Sequence, residues 1–222
     1  MLLWLYWLKE GLLFKMGNLQ ENINFFNKIA RYYDKGIFGI WLNRILIKLL
    51  KEIEIKENSI ILDVGCGTGN FLKILSKNKT LILCGLDISP KMIKIAKKKL
   101  GKKANLKLMP IENLRDKNKF NYIFSTEAFH HYSNQKKAMR NFYYALKKNG
   151  RLIIVDLSFG RILNWIFHKI EPGNSGMNSR RDFYRLLKKY GFRNIQQKRL
   201  SLVTIMTLGE KTETKTFKYL NK

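Results

Sequence analysis

Three alternating glycines directly after an apolar run constrain this chain more than any other stretch. The run over residues 60–64 contains Asp63, and Gly65, Gly67 and Gly69 follow it. A helical pattern begins at once behind them. A strand that passes through a glycine turn into a helix N-terminus can hold a small polar or anionic ligand, because glycine permits positive φ and lets the backbone approach the ligand closely. The rest of the sequence decides which ligand this is.

Strands and helices alternate after this turn. We predict strands over residues 60–64, 81–86, 106–109, 122–126 and 152–156, and a last strand or pair of strands over 200–208. We predict helices over residues 70–76, 90–100, 134–147 and 179–190. This alternation indicates an α/β protein with a Rossmann-like, doubly wound and mostly parallel sheet.

The 222 residues suit one domain with a small cap. We predict an apolar extension over residues 1–16, a helical lid over 17–57 and a main domain over 58–222 with an insertion at 157–178. Gly36 and Gly39 are expected to break the lid into separate helices.

The extension 1–16 has three interpretations. It could be an interfacial helix that contacts a membrane, a helix that packs on the domain, or sequence upstream of a true start at Met16. Its apolar run is too short to span a bilayer, which needs about 20 residues. We therefore expect a soluble or peripheral protein.

The chain is strongly basic, with a net charge of +27 from 43 Lys and Arg against 16 Asp and Glu. Such a surface attracts phosphates, anionic lipids or acidic proteins. An AT-rich genome would produce the same lysine excess, which is spread over every predicted helix. The two cysteines, Cys66 and Cys84, have a spacing that suits neither a metal nor a redox pair, so we expect a reducing cytoplasm and no metal ligands.

Asp87 ends the second predicted strand, 87 − 65 = 22 residues after Gly65. At that spacing a carboxylate can bind ribose hydroxyls, because the second strand lies beside the first. A dinucleotide turn would need a third glycine at position 70, which is Asn70 here. No Walker lysine follows the turn either, so a ligand without a pyrophosphate fits best.

Five stretches resemble the motifs of class I S-adenosylmethionine-dependent methyltransferases. They are residues 62–69, 86–92, 120–126, 145–156 and 190–192. The resemblance covers about residues 58–200 and implies a seven-stranded sheet with an N-terminal helical lid. Residues 25–34 are similar to the N-terminal signature of the ubiquinone/menaquinone-biosynthesis branch.

The resemblance implies S-adenosylmethionine as the cofactor and assigns its contacts. Toward its methionine and sulfonium end we expect Asp63, Gly65, Gly67, Thr68, Gly69, Thr126 and Tyr33. Toward its ribose and adenine we expect Asp87, Ile88 and Ile111.

A base is needed only if the acceptor arrives protonated. His131 and His130, just after the fourth strand, are the candidates, and Tyr33 and Glu127 are weaker ones. We predict methyl transfer to a small-molecule or lipid/quinone-like acceptor. The alternatives are a methyltransferase that acts on RNA or protein, which the charge favours, and a non-catalytic module that binds the cofactor.

Overall fold

A computed structural model describes residues 19–158 and 179–212. Its helices are α1 Leu19–Ile29, α2 Gly36–Glu52, α3 Asn70–Leu75, α4 Pro90–Leu100, α5 Gln135–Ala145 and α6 Arg180–Lys189. Its strands are β1 Ile60–Val64, β2 Ile82–Asp87, β3 Asn105–Leu108, β4 Phe120–Thr126, β5 Leu146–Leu157, β6 Phe192–Arg199 and β7 Thr204–Lys211. The predicted extension 1–16 and most of the predicted insertion 157–178 lie outside the described residues, so both remain predictions.

The seven strands form one sheet in the order β3-β2-β1-β4-β5-β7-β6. Strands β1 to β5 pair in parallel, and β7 pairs antiparallel with both β5 and β6. The order reverses beside β1, whose neighbours are β2 and β4. Ligands bind at such a switch point, outside the carboxyl ends of the strands. The predicted doubly wound, mostly parallel sheet is confirmed.

The core consists of two apolar layers, one on each face of the sheet. Successive residues of a strand point to opposite faces, so Ile153 belongs to one layer and Ile154 to the other. Helices α2, α3 and α4 cover the first face, and α5 and α6 cover the second. Both faces are therefore buried, as a parallel sheet requires.

Two predicted boundaries near the C-terminal half were wrong. The helix predicted to run to residue 147 ends at Ala145, because β5 already begins at Leu146. Strand β6 was not predicted, since most of its side chains are exposed at the edge of the sheet and carry charge or amide groups. The strand predicted over residues 200–208 starts too early, because residues 200–203 form the turn before β7.

Gly39 does not break the lid as predicted. It is buried inside α2, and a Cβ there would lie 2.3 Å from the carbonyl oxygen of Asp34. The glycine therefore lets the preceding segment pack closely against the helix. Gly36, with φ +66°, does mark the start of α2.

Candidate active site

A cleft of about 610 Å³ opens at the carboxyl ends of the central strands. Its walls come from the glycine turn, the end of β2, the segments after β3 and β4, and helix α1 of the lid. Of the predicted site residues, the cleft is lined by Tyr33, Gly65, Gly67, Asp87, Ile88, Ile111 and His131.

The glycine turn is tied to β2 and closely packed against the segment after β4. The amides of Gly65 and Cys66 both donate to the carbonyl of Leu86, at 2.8 and 2.9 Å. Gly65 has φ +74°, and a Cβ on it would lie 2.4 Å from the Cβ of Ala128. Any side chain at position 65 would therefore be strained and would clash.

Asp87 is held by the backbone on both sides. Its Oδ2 accepts a hydrogen bond from the amide of Gly67 and its Oδ1 from the amide of Ser89, each at 2.8 Å. Burial raises the pKa of this carboxyl, and the amides of Ser89, Gly67 and Ile88 counteract the rise. The carboxylate thus joins the glycine turn to the start of α4, where Ser89 is the N-cap and accepts from Met92.

A second, smaller cleft of about 320 Å³ adjoins the first. It is lined by Asp63, Thr68 and Thr126. Both clefts are lined by Tyr33, Gly65 and Gly67. Asp63 is 1% exposed, and its Oδ1 has no hydrogen-bond partner among the described residues. Burial, and then the charge of Asp87, raise the pKa of Asp63 to about 8. Because this buried oxygen has no donor among the described residues, a cationic group bound in the smaller cleft would supply the missing hydrogen bond.

The lid is fastened to the glycine turn through Asp34. Its Oδ1 accepts a hydrogen bond from the hydroxyl of Thr68 at 2.6 Å and another from the side-chain amide of Asn70 at 2.7 Å. Its Oδ2 forms a salt bridge of 2.9 Å with Lys99. Tyr33, the residue before Asp34, is thereby held over the turn. Burial, and then the charge of Glu127, raise the pKa of the Tyr33 hydroxyl.

His131 and Tyr132 form the wall that the segment after β4 gives the larger cleft. The Nδ1 of His131 is buried without a partner among the described residues, and the ring of Phe26 meets its ring edge-on at 4.9 Å. Burial and the adjacent His130 lower the pKa of His131 well below its ordinary value, so the imidazole is neutral. The hydroxyl of Tyr132 donates to the carbonyl of Val64 at 3.0 Å and fixes this wall to β1.

Two predicted residues line neither cleft. Gly69 packs against α4, where a Cβ would lie 2.8 Å from Leu100. His130 points behind the wall, where its Nδ1 is hydrogen-bonded to Asp156. Sequence reasoning missed Asp34, because its partners are 34 to 65 residues away and no local pattern connects them.

A doubly wound sheet with a glycine turn and a buried carboxylate at the end of β2 defines a nucleoside-binding protein of the class I methyltransferase fold. The sequence comparison makes this specific, because residues 38–197 match the methyltransferase domain family. The chain belongs to this family and is a class I S-adenosylmethionine-dependent methyltransferase, with S-adenosylmethionine as its cofactor.

Relatives and solved structures agree with this assignment. An uncharacterised protein of Methanocaldococcus jannaschii is 33% identical over 195 residues, 86% of this chain and 68% of that protein. A ubiquinone/menaquinone biosynthesis C-methyltransferase of Wigglesworthia glossinidia brevipalpis is 30% identical over 65% of this chain and 61% of that protein. Phosphoethanolamine N-methyltransferase 2 of Haemonchus contortus, solved with S-adenosyl-L-methionine, has a TM-score of 0.68 at 16% identity over 85% of this chain and 60% of that chain.

Among the described residues, none of the helices has the length and apolar character needed to cross a bilayer.

Proposed function

We propose that the protein transfers the methyl group of S-adenosylmethionine to a small, largely apolar acceptor of the quinone or lipid type. The observation that carries the proposal is the apolar lining that the lid gives the larger cleft. Leu19 and Phe26 of the lid line this cleft, as does His131. An acceptor with apolar surface gains about 25 cal/mol for each Å² that such a cleft buries.

The cofactor fits the two adjoining clefts. Asp87 is the candidate partner of the ribose hydroxyls, with Ile88 and Ile111 against the adenine. Asp63, the buried carboxyl without a donor, is the candidate partner of the ammonium group, beside Thr68 and Thr126. Tyr33, Gly65 and Gly67, which line both clefts, would contact the centre of the cofactor.

The bound cofactor supplies an electrophilic methyl group, so the protein has only to align the acceptor and exclude water. Such positioning accounts for roughly 7–11 kcal/mol of barrier lowering in well-oriented reactions. The neutral imidazole of His131 lines the cleft, and its Nδ1 has no hydrogen-bond partner among the described residues. This imidazole would accept a hydrogen bond or a proton from a hydroxyl of the methyl acceptor. His130 would act only through the wall, since its ring is bonded to Asp156.

The relatives support a small acceptor. One is named for ubiquinone and menaquinone biosynthesis and the solved neighbour for phosphoethanolamine. A methyltransferase acting on RNA or protein is the second candidate, which the net charge of +27 favours. A groove between α1 and α4, lined by Lys28, Arg31, Lys91 and Lys94, adds to that argument. We also propose a reducing cytoplasm as the location, which the free Cys66 and Cys84 support.

The experiment is methyl transfer from cofactor labelled in its methyl group. The full chain is incubated with a lipid extract, a small-metabolite pool, bulk RNA and bulk protein in separate reactions, and each fraction is assayed for label. We expect label in the lipid or metabolite fraction, and less label there with Asp87→Asn at a limiting concentration of the cofactor. Label confined to RNA or protein would contradict the proposed acceptor class, and a cofactor that binds without any transfer would favour a non-catalytic module.

A further inference from the structure

Three metal-ligating side chains meet behind the wall of the larger cleft. One donor atom each from Glu127, His130 and Asp156 lies within 4.8 Å of the other two. Their residues are 7%, 6% and 0% exposed. Glu127 follows β4, His130 lies three residues later, and Asp156 is near the end of β5, so the parallel pairing of β4 with β5 brings them together. No pattern in the sequence predicted this set, because Asp156 is distant along the chain.

Two of the three ligands are oriented by the backbone. The amide of His130 donates to Oδ2 of Asp156 at 2.9 Å, and the His130 ring is bonded through Nδ1 to Oδ1. The amide of Leu157 also donates to Oδ1, at 2.8 Å. Backbone amides therefore hold both oxygens of Asp156 in place.

Glu127 is held in place but incompletely satisfied. Its amide donates to the carbonyl of Val155 at 2.7 Å, and its φ of +50° is in the left-handed region that residues with a Cβ rarely adopt. Its Oε1 is buried with no hydrogen-bond partner among the described residues. The hydroxyl of Thr204, in a residue that is 0% exposed, lies beside this carboxylate but forms no regular hydrogen bond with it or with another described residue. A buried carboxylate oxygen without a regular partner is costly.

We propose that Glu127, His130 and Asp156 bind a divalent transition-metal ion. One imidazole nitrogen and two carboxylates are donors that suit Mn²⁺, Fe²⁺ or Zn²⁺ better than the all-oxygen shell of Mg²⁺ or Ca²⁺. Ligand atoms at about 2.0–2.2 Å from one ion lie about 3–4.4 Å from one another. The three donor atoms lie within 4.8 Å of one another, and His130 and Asp156, which are in direct contact, would have to move apart to admit the ion. The ion would replace the hydrogen bond between His130 and Asp156. The imidazole would then carry its proton on Nε2 and bind through Nδ1.

The position of Glu127 connects this site to the larger cleft, since Glu127 lines that cleft and the other two ligands lie behind it. Three protein ligands leave open positions on the ion. An acceptor with a hydroxyl or carboxylate oxygen could occupy one of them. That last role rests on the proposed function, whereas the ion site itself does not.

Direct binding of Mn²⁺ and Zn²⁺ to the full chain tests the site without any assay of methyl transfer. After chelator dialysis, we expect one ion per chain by electron paramagnetic resonance for Mn²⁺ and by calorimetry for Zn²⁺. Glu127→Gln keeps the shape of the side chain and should weaken binding by more than about tenfold. Glu112→Gln is the matched control: its carboxylate lines the same cleft but accepts from Ser133 and Asn134, and the variant should bind the ions like the parent.

Thermal unfolding gives a second readout. Mn²⁺ should raise the Tm of the parent chain and of Glu112→Gln, and leave that of Glu127→Gln unchanged. If Glu127→Gln fails to fold, His130→Gln replaces it in both measurements with the same expected loss. The site is refuted if the parent binds neither ion at about millimolar concentration, or if the folded ligand variants bind as tightly as the parent.

Discussion

At the scale of single residues, Asp87 joins the glycine turn to the start of α4, and we expect the affinity for the cofactor to depend on it. Asp87→Asn retains the volume but offers only one acceptor oxygen to the two amides of Gly67 and Ser89. It also removes the charge that ribose hydroxyls would contact. Hydrogen bonds to a charged group contribute about 1.5–3 kcal/mol, so we expect cofactor affinity to fall by roughly ten- to a hundredfold. Calorimetry with S-adenosylmethionine measures this. Asp116→Asn, on the surface beside Lys119, is the control, and equal affinities of the two variants would contradict the assignment.

Gly65 is required for a different reason, which is space. In Gly65→Ala the new Cβ would lie 2.4 Å from that of Ala128, and the backbone has φ +74°. Gly36→Ala separates the two costs, because Gly36 has φ +66° and open space around it. We expect the free energy of unfolding of both variants to fall by about 1–2 kcal/mol, which is the cost of a residue with a Cβ in the left-handed region. Gly65→Ala should lose about 1–3 kcal/mol more through overpacking. Urea unfolding measures both, and equal losses would refute the close packing.

Asp63 makes the stability of the chain depend on pH. Its pKa is about 8 in the folded protein and 3.8 for the free side chain, so between these values only the folded state retains the proton. The free energy of unfolding should therefore fall as pH rises through this window, by up to about 1.4 kcal/mol per pH unit. Asp63→Asn removes this contribution and should be more stable than the parent at about pH 8, with weaker cofactor binding. Urea unfolding at about pH 5 and about pH 8 tests the sign, and a parallel pH dependence of both proteins would contradict it.

At the scale of elements, the two helices of the lid are attached differently. Helix α2 buries its apolar face in the core layer on the first face of the sheet. Helix α1 and the segment after it are held by polar contacts: Asn22 donates to the carbonyl of His131 at 2.9 Å, Asn27 accepts from the hydroxyl of Ser89 at 2.8 Å, and Asp34 binds the glycine turn. Partly buried polar contacts of this kind open at a lower free energy than the core does. Helix α1 is therefore the part of the lid that we expect to open for cofactor exchange.

Asp34→Ala tests the attachment. It removes the acceptor shared by Thr68, Asn70 and Lys99 without touching the sheet. We expect faster hydrogen exchange in α1 and faster release of the cofactor, with global stability lowered by no more than about 1 kcal/mol. The control is Glu52→Ala, which breaks the exposed salt bridge between Glu52 of the lid and Lys198 of β6. Unchanged exchange in α1 would show that the Asp34 contacts do not hold the lid.

The sequence predicted those elements whose signal is local. The run before the glycine turn became β1, and the helix predicted over residues 90–100 is α4 with those bounds. Strand β6 could not be found, because an exposed edge strand has no apolar alternation to detect. The same limit applies to the site. Asp87 has a spacing that topology makes meaningful, whereas Asp34 and the Glu127 cluster depend on contacts between distant segments.

At the scale of the whole molecule, the charge of +27 and the cofactor site are physically separate properties. Asp63 and Asp87 are buried, so the contacts that we propose between them and the cofactor would be screened only weakly by salt. The surface lysines would bind a polyanion by releasing counterions, and this binding weakens steeply with salt. If the chain uses its charge only for solubility and non-specific contacts, its binding of RNA should weaken steeply with salt, and its binding of the cofactor should depend little on salt.

Raising NaCl from about 0.05 to about 0.5 M should therefore abolish the retention of bulk RNA, with a steep linear log–log slope. Over the same range the affinity for S-adenosylmethionine should change by less than about twofold, since the contacting groups are shielded from the bulk solvent. Filter binding and calorimetry measure the two quantities on one preparation. RNA that stays bound at the higher salt, and that takes up methyl label there, would instead make RNA the acceptor. The basic surface would then be part of the substrate site, because only contacts beyond the phosphate charge survive that screening.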